Sequence, residues 1–388
     1  MPGNSADDQH LQRALELARA GIGLASPGPY VGAVITDDAG KVVGTGTYTY
    51  DGLKHAEILA LEEAGSRARG GTIYINLEPH AHQGRTPPCT DALIRAGISR
   101  VVASMADPNP KVSGKGFECL RKAGVQVEAG GLQEQARRLN EAFARYIRHG
   151  APLVTLKTAM TLDGKIAPPP AEALKSEDGV PAGGWITSDV ARAHVQELRH
   201  ENDALLVGVG TILSDDPLLT DRSGRPRRRA LVRVILDSRL RLPMDSRLVQ
   251  DAAVRCKSDV LVFCGSADAN KVAQLEQLGV RVEKVSAFES DGRPDLAAIL
   301  RRLGELEITS VIIEGGATVN WTALAAQVVD KVFFYYAPKI LAGTGSIPFA
   351  GGPGFRQMSQ AAHVKNIALH RFGEDFAVEG YLRDPYGE

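Results

Sequence analysis

The pattern of apolar and polar positions changes repeatedly between helical and strand periods along the first 150 residues. Apolar positions at helical spacing over residues 9–20 end at Gly21, and apolar runs at Val31–Ile35 and Lys41–Thr47 predict paired strands around a turn. The other predicted elements of this region are helices at His55–Ala68, Thr90–Ala96, Gly116–Ala123 and Gln133–Ile147 and strands at Thr72–Asn76 and Arg100–Ala103. Because helices and strands alternate with short connections, this region predicts a layered α/β domain.

A second series of apolar runs follows a polar junction at Arg148–Pro152. Its predicted strands are Leu153–Lys157, Ala204–Val209, Val232–Asp237, Val260–Phe263, Ser310–Glu314 and Lys331–Tyr336, with helical stretches between them. This half is again α/β and long enough to bury its own core, so we expect two domains, 1–150 and 151–388. The segment Pro168–Pro181 is rich in proline, alanine and charge and predicts a mobile loop, which is either a functional lid or a tolerated insertion.

Composition narrows the class of protein. With 388 residues, a net charge of −1 and a pI of about 6.8, the chain has no global field that favours nucleic acid or an anionic membrane. Its four cysteines are scattered, which argues against a disulfide framework. The first ten residues are polar, and no apolar run approaches the roughly 18 residues of a membrane span. We therefore expect a cytoplasmic protein without nucleic-acid or membrane partners.

The strongest chemical signal is a His-Ala-Glu motif at 55–57 followed by a second segment, Pro79–Cys89. A zinc-dependent nucleobase deaminase needs a metal that makes hydroxide near neutral pH and a carboxylate off the metal that carries protons. His55 and Cys89 suit the ligand role, and Glu57 suits the proton carrier. Cys89 is predicted to begin a helix, where backbone N–H groups are expected to lower the pKa of a thiol.

These motifs, together with Ser26–Ala33 and Asp107–Pro110, resemble those of the bacterial bifunctional riboflavin-biosynthesis deaminase–reductases over nearly the whole chain. The resemblance implies an α/β chain with a cytidine-deaminase-like three-layer domain followed by a dihydrofolate-reductase-like α/β domain. It implies Glu57 as the catalytic proton shuttle. It implies a zinc site of His55, His80 and Cys89, in which His80 replaces a cysteine of the family. Gly28 stands where the family usually has an asparagine that touches the pyrimidine.

The substitution at position 80 leaves two hypotheses open. Imidazole is a good zinc ligand, so a set of two histidines and one cysteine is chemically allowed. The alternative is a zinc-free, catalytically inactive deaminase-like domain attached to a working reductase. His82 is expected to contact substrate rather than metal, and Cys119 is expected to belong to the core rather than to the metal site.

In the second half, the apolar strand before Glu314 leads into two glycines and a predicted helix, which suits a diphosphate at a helix N-terminus. The resemblance implies NADPH as the cofactor there. The residues expected to line it are Ala159, Trp185, Thr211, Asp215, Ser238, Gly316, Ala317, Thr318, Val319, Asn320, Trp321 and Thr322. The residues expected to hold substrate are Gly183, Arg199, Leu219, Arg222 and Glu314, with Gly183 at a family serine position. The basic run Arg225–Arg229 is predicted to be a solvated loop in preference to a clamp for the 2′-phosphate of NADPH.

The implied reactions are consecutive. A pyrimidine ribosyl phosphate loses its 2-amino group by zinc-dependent hydrolysis, and NADPH then reduces the ribosyl side chain to ribityl. The expected partner is this small-molecule substrate, and the family expectation is a homo-oligomer, either a dimer or a tetramer.

Overall fold

The computed structural model describes residues 6–84, 86–169, 184–255, 259–285 and 294–387. Gly183 and positions 170–181 of the predicted mobile loop lie outside these ranges, so neither prediction is addressed by the structure. The chain divides into two compact units. Unit 1 is Met1–Gly150 together with Pro226–Arg229, and unit 2 comprises Ala151–Arg225 and Ala230–Gly387.

Unit 1 contains a five-stranded sheet flanked by helices on both faces. Its strands are β1 (Gly32–Thr36), β2 (Val42–Thr47), β3 (Thr72–Ile75), β4 (Arg100–Ala103) and β5 (Gln126–Ala129). Its helices are α1 (Ala6–Arg19), α2 (Ala56–Ala64), α3 (Cys89–Ala96), α4 (Lys115–Lys122), α5 (Gln133–Leu139) and α6 (Glu141–His149). The strand order is β2-β1-β3-β4-β5; β1 is antiparallel to both of its neighbours, and β3, β4 and β5 are mutually parallel.

Glycines on β1 and β2 allow α1 and α2 to pack close to the sheet of unit 1. A Cβ on Gly32 of β1 would lie 2.1 Å from the Ala14 carbonyl oxygen of α1. A Cβ on Gly46 of β2 would lie 2.0 Å from the Ala56 carbonyl oxygen of α2. Gly46 pairs with Ala33, the neighbour of Gly32, so the two glycines face opposite sides of the sheet. Helices α1 and α2 therefore form separate layers, which confirms the predicted three-layer arrangement.

The prediction of a single helix over Gln133–Ile147 is wrong, because the structure has two helices there, which are separated at Asn140. The Asn140 side chain is fully buried, and its Oδ1 accepts a hydrogen bond from the Tyr30 backbone N–H at 2.8 Å. Its Nδ2 donates to the Tyr30 carbonyl oxygen at 3.0 Å. These two hydrogen bonds satisfy the buried Asn140 amide, and they hold this residue at the break between α5 and α6.

Unit 2 is built on a nine-stranded sheet with a small two-stranded sheet beside it. Its strands are β6 (Leu153–Thr161), β7 (Lys165–Ala167), β8 (Ala204–Gly208), β9 (Val232–Leu236), β10 (Val260–Cys264), β11 (Val280–Lys284), β12 (Ser310–Ile313), β13 (Lys331–Ala337), β14 (Ile347–Pro348), β15 (Lys365–Phe372) and β16 (Asp375–Tyr381). Its helices are α7 (Asp189–Glu201), α8 (Val209–Asp215), α9 (Arg247–Arg255), α10 (Ala269–Gln277), α11 (Leu296–Glu305) and α12 (Ala317–Ala325).

The large sheet has the order β11-β10-β9-β8-β12-β6-β13-β16-β15. It is parallel from β11 to β13, and β16 and β15 extend it as antiparallel strands. Alternate residues of β8 point into two different hydrophobic clusters, with Leu206 in one and Leu205 and Val207 in the other. Because strands buried on both faces read as continuous apolar runs, the sequence pattern located β8, β9, β10 and β12.

The elements that sequence reasoning missed lie mainly at the edges of the sheets. Strands β5 and β11 are edge strands with partly exposed patterns, and β15 and β16 form a C-terminal hairpin. In edge strands, only one side pairs and apolar periodicity is weak, so the pattern carries little information. Among the residues that the structure describes, no helix has both the length and the apolar character needed to cross a membrane.

Candidate metal centre and cofactor site

The metal cluster of unit 1 lies where two helices begin at one edge of its sheet. His55 is the N-cap residue of α2, and Cys89 is the first residue of α3. Strands β2 and β3 are both antiparallel to β1, so their carboxyl ends lie at the same edge. The helices that follow them therefore start close together. The third position, His80, comes from the segment between β3 and α3.

The side chains of His55, Glu57, His80 and Cys89 form a cluster in which potential ligand atoms lie within 4.8 Å of one another. His55 Nδ1 lies 3.4 Å from Cys89 Sγ. Tetrahedral zinc with ordinary Zn–N and Zn–S bonds places two such atoms about 3.5 Å apart. Three protein ligands and one open position define a catalytic zinc site rather than a structural one. The donor set and its spacing therefore fit zinc.

His80 lies against His55, with the two ring centroids 4.5 Å apart. Burial lowers the pKa of His80 to about 4, and the neighbouring His55 and His82 reinforce this decrease. The nearby Thr86 backbone raises the pKa slightly and so opposes this decrease. Both ring nitrogens are buried, and neither makes a hydrogen bond of normal geometry with any residue that the structure describes. A buried polar atom without a partner is costly unless something else binds it. A cation held by His80 would supply the missing interaction.

The expectation of a lowered thiol pKa at Cys89 is wrong. Burial raises the pKa of Cys89, and the charge of Glu57 and its hydrogen bond to the thiol raise it further. Cys89 has no exposed surface, and burial is the largest of these effects. A divalent cation held by Cys89 would reverse this effect, since a coordinating thiol is deprotonated.

Residues around the cluster orient the ring of His55. Its Nε2 lies 3.3 Å from Thr86 Oγ1, which leaves Nδ1 on the side of Cys89. A metal held by Nδ1 would leave the proton on Nε2, whose N–H could donate a hydrogen bond to Thr86 Oγ1. The Tyr48 ring meets the His55 ring edge-on, with centroids 5.3 Å apart. A Cβ on Gly28 would lie 2.8 Å from Tyr48 Cε1, so Tyr48 occupies the space that a side chain at position 28 needs.

Glu78 fixes the loop that borders the cluster, and sequence reasoning did not single it out. Its buried carboxylate accepts hydrogen bonds from the backbone N–H groups of Asp107, Gly114, Gly116 and Phe117 at 2.8–3.2 Å. A Cβ on Gly116 would lie only 1.9 Å from the Pro79 carbonyl oxygen. The sequence signal that could have identified Glu78 was an acidic residue next to a proline, two positions before the predicted ligand His80.

Two further predictions about unit 1 concern residues near the cluster. His82 is exposed and lies outside the metal cluster, with its ring 5.3 Å from that of His80. Cys119 is also outside the cluster and is half-buried on α4. The proposed substrate contact of His82 stays a prediction.

In unit 2, three charged side chains meet at the end of β12. Arg199 of α7 donates to both carboxylate oxygens of Glu314, with Nε–Oε1 at 2.7 Å and Nη2–Oε2 at 3.0 Å. Lys157 Nζ of β6 lies 3.5 Å from Glu314 Oε2. Burial opposes ionisation of Glu314, but the two cations outweigh it and hold its pKa at about 2. Lys157 was missed as a functional candidate, although its position in a buried strand was a signal.

The other predicted substrate residues follow α8. Leu219 is buried and has a φ of 55°, and Arg222 is exposed on the same segment. Arg199 Nη1 donates to the Thr220 carbonyl oxygen at 3.0 Å, so it joins this segment to Glu314. Gly183 lies outside the described residues.

Most predicted cofactor residues lie at the carboxyl edge of the large sheet. Strands β8, β9 and β12 are parallel, and Thr211, Ser238 and Gly316 follow their carboxyl ends. Ala159 lies near the end of parallel β6, and Asp215 ends α8. This edge is where open α/β sheets bind ligands. Trp185 is 48% exposed, and the Arg192 guanidinium carbon lies over its ring, 4.5 Å from the centroid.

The run from Gly316 to Thr322 begins α12, and its members serve different purposes. Gly316 is the N-cap residue, and Ala317, Thr318 and Val319 form the first turn, where free backbone N–H groups can bind an anion. Trp321 and Thr322 are partly buried one turn later. Asn320 is fully buried, and its Nδ2 donates to the Phe349 carbonyl oxygen at 2.6 Å. Its side chain therefore supports the turn from within.

The basic run Arg225–Arg229 is not a simple solvated loop. Arg228 Nε donates to the Ser26 carbonyl oxygen at 3.0 Å, and its guanidinium lies 4.2 Å from the Tyr50 ring centroid. Arg229 Nη2 lies 3.1 Å from Ser26 Oγ. Both arginines belong to the short segment that forms part of unit 1.

Fold and site together define a two-domain enzyme in which a zinc-dependent deaminase domain precedes a reductase domain. The model of the cytidine and deoxycytidylate deaminase zinc-binding region matches residues 4–105, and that of the RibD C-terminal domain matches residues 152–378. The riboflavin biosynthesis protein RibD of Actinobacillus pleuropneumoniae is 39% identical over 389 residues, which cover 99% of each chain. The chain therefore belongs to the RibD family of riboflavin-biosynthesis proteins and carries both of its domains.

Solved structures agree with this assignment. RibD of Acinetobacter baumannii has a TM-score of 0.82 and 33% identity, covering 97% of this chain and 98% of that chain. The diaminohydroxyphosphoribosylaminopyrimidine deaminase/5-amino-6-(5-phosphoribosylamino)uracil reductase of Thermotoga maritima has a TM-score of 0.79 and 36% identity with the same coverage. The predicted family and fold class are thereby confirmed.

Proposed function

We propose that this chain catalyses two consecutive steps of riboflavin biosynthesis. The first is hydrolytic deamination of 2,5-diamino-6-ribosylamino-4(3H)-pyrimidinone 5′-phosphate, and the second is NADPH-dependent reduction of the ribosyl side chain to ribityl. The observation that carries the first step is the cluster of His55, His80 and Cys89 beside Glu57, with both His80 nitrogens buried and unpaired among the described residues. The similarity to the Thermotoga maritima enzyme, whose name states both activities, supports the pair.

In the deaminase domain, His55, His80 and Cys89 would hold zinc, which when bound makes water acidic enough to supply hydroxide near neutral pH. Glu57 is only 3% exposed and lies within the cluster. Its carboxylate accepts a proton from the attacking water and delivers it to the departing amino group, which leaves as ammonia. Thr86 holds the His55 ring in the orientation that turns Nδ1 toward Cys89.

In the reductase domain, NADPH supplies the hydride, and the chain positions the sugar against it. We propose that Gly316 and the first turn of α12 bind the cofactor diphosphate through backbone N–H groups. Glu314 is kept ionised by Arg199 and Lys157 and suits a sugar hydroxyl. Arg222, exposed on the segment that Arg199 holds, suits the substrate phosphate through its forked donors.

We further propose that the two domains are 1–150 and 151–388, that the protein works in the cytoplasm as a dimer or tetramer, and that it has no nucleic-acid partner. The near-neutral charge of −1 supports the last point. Light scattering on the purified protein tests the oligomeric state, and a monomer would contradict that part of the proposal.

A coupled assay tests both activities on one preparation. Zinc content is measured on the purified protein, and ammonia release from the diaminopyrimidinone phosphate is followed with and without NADPH. We expect stoichiometric zinc, ammonia release without NADPH, and NADPH oxidation once the deaminated compound is formed. Turnover only from the already deaminated compound, in protein without zinc, would establish the alternative of a reductase with an inactive deaminase-like domain.

A further inference from the structure

The segment Asp216–Ser223, which carries Leu219 and Arg222, has a backbone conformation that must be held from outside. Asp216 and Leu219 have φ values of 41° and 55°, in the left-handed region that side chains with a Cβ disfavour. Leu219 is only 4% exposed, so solvent does not stabilise this conformation. The contacts made by its neighbours therefore decide whether the segment keeps its shape.

The carbonyl groups on both sides of Leu219 accept hydrogen bonds from buried guanidinium groups of two different elements. Arg233 Nη1 of β9 donates to the Leu218 carbonyl oxygen at 3.2 Å. Arg199 Nη1 of α7 donates to the Thr220 carbonyl oxygen at 3.0 Å. The two arginines thus hold one residue between them.

Arg233 is itself fixed by two carboxylates. Its side chain is 1% exposed; Nη1 also lies 2.6 Å from Asp251 Oδ2, and Nη2 lies 2.6 Å from Asp259 Oδ1. A guanidinium with this support cannot move to another orientation without leaving buried charges unpaired. Strand β9 and the two aspartates therefore fix the position of the Arg233 guanidinium, and the guanidinium in turn fixes the Leu218 carbonyl group.

Helix α7 secures the rest of the segment. His200 Nδ1 lies 3.0 Å from Asp221 Oδ2, and both side chains are buried. The Arg222 backbone N–H donates to Gln196 Oε1 at 3.0 Å. Arg222 thus has a fixed backbone and an exposed side chain, which is the arrangement that a preorganised phosphate ligand needs.

We infer that Arg233 is a positioning residue for substrate binding in the reductase domain. It acts through the Leu218 carbonyl on Leu219 and Arg222 without touching the substrate. This inference rests on the proposed reductase function. A buried lysine at this position keeps the charge but lacks the fork that serves the two aspartates and the carbonyl together.

The test compares Arg233→Lys with Asp259→Asn, which removes an ion pair from Nη2 and leaves the Nη1 contact with Leu218. KM and kcat are measured for NADPH-dependent reduction of the deaminated substrate, and the cooperative unfolding transition of each variant, followed by circular dichroism, reports whether unit 2 folds. We expect Arg233→Lys to raise KM about tenfold with kcat within about twofold of the parent. Asp259→Asn keeps an Oδ1 acceptor for Nη2, and Asp251 still pairs with Nη1, so this variant is expected to keep the parental KM, although both variants lower the unfolding midpoint.

A merely structural role predicts equal changes of KM in both variants, and that result would overturn the inference. Should Arg233→Lys fail to fold, Arg233→Gln is used, and an unchanged KM in Arg233→Gln also refutes it. Hydrogen exchange of the amides in 216–223 separates this inference from the proposed function. Faster exchange in Arg233→Lys than in Asp259→Asn supports the positioning role even in a protein without reductase turnover, whereas equal exchange contradicts it.

Discussion

Replacing His80 with alanine removes one of three protein ligands of the proposed zinc site and leaves the surrounding contacts in place. Neither His80 ring nitrogen bonds to a residue that the structure describes, so the substitution breaks no protein hydrogen bond there. Zinc held by four ligands in small folded peptides is bound by about 10–16 kcal/mol. One ligand in four is then worth about 3 kcal/mol, so we expect zinc affinity to fall at least about 100-fold.

Competition with a chromogenic chelator measures the change in zinc affinity, and ammonia release measures the deaminase activity. His82→Ala is the matched control, because His82 lies on the same segment but outside the cluster. We expect His82→Ala to retain zinc, and we expect both variants to reduce the deaminated substrate normally. Equal zinc affinity in His80→Ala and the parent protein would show that His80 is not a ligand and would refute this reasoning.

The pKa of His80 adds a pH dependence to the same comparison. Its folded pKa of about 4 lies below the ordinary value of 6.5. Between these values the unfolded chain binds more protons than the folded chain, so lowering the pH through this interval destabilises metal-free protein. The unfolding midpoint of the metal-free parent should therefore fall more steeply between pH 6.5 and 4 than that of His80→Ala. Parallel curves for the two proteins would contradict a buried, neutral His80.

Three further predictions concern unit 1. Glu57→Gln should lower ammonia release about 100-fold or more while zinc content and NADPH-dependent reduction persist; loss of zinc would instead make Glu57 a ligand. Burial raises the pKa of Asp107 from 3.8 to about 6, so stability falls as pH rises through this interval. Asp107→Asn should thus stabilise the protein by up to about 3 kcal/mol in urea unfolding at pH 7.5, and an equal gain at pH 4 would contradict this cause. Gly28→Asn should destabilise the protein by about 1–3 kcal/mol because its side chain meets the Tyr48 ring. Tyr48 is itself buried, so a double-mutant cycle is the test: in a Tyr48→Ala background Gly28→Asn should cost much less, and an equal cost would place the strain elsewhere.

The sequence predicted the parts of the site that depend on local order along the chain. His55 and Cys89 begin helices that follow parallel-running strands, so strand-to-helix alternation alone places them at one edge of the sheet. Thr211, Ser238 and Gly316, which the family resemblance implied as cofactor residues, likewise follow β8, β9 and β12. Periodicity also located the buried strands of unit 2, because strands covered on both faces are continuously apolar.

What the sequence did not predict depends on contacts between distant residues. The break at Asn140 comes from a hydrogen bond to Tyr30, 110 positions away. Glu78 and Arg233 act on backbone groups of other elements, which no pattern within a short window identifies. The thiol pKa of Cys89 was predicted in the wrong direction because burial and the charge of Glu57 are tertiary properties.

A histidine in place of a ligand cysteine would change the charge of the proposed zinc site. Zinc with one thiolate and two neutral imidazoles carries one net positive charge, whereas two thiolates make the ion and its ligands neutral. Glu57 is buried within the cluster, where a carboxylate would balance that positive charge. The low pKa of His80 ensures that a neutral ring is available to the metal without displacing a proton. The substitution would therefore alter the acidity that zinc supplies to water in the proposed deamination, and it would leave the role of Glu57 as proton carrier unchanged.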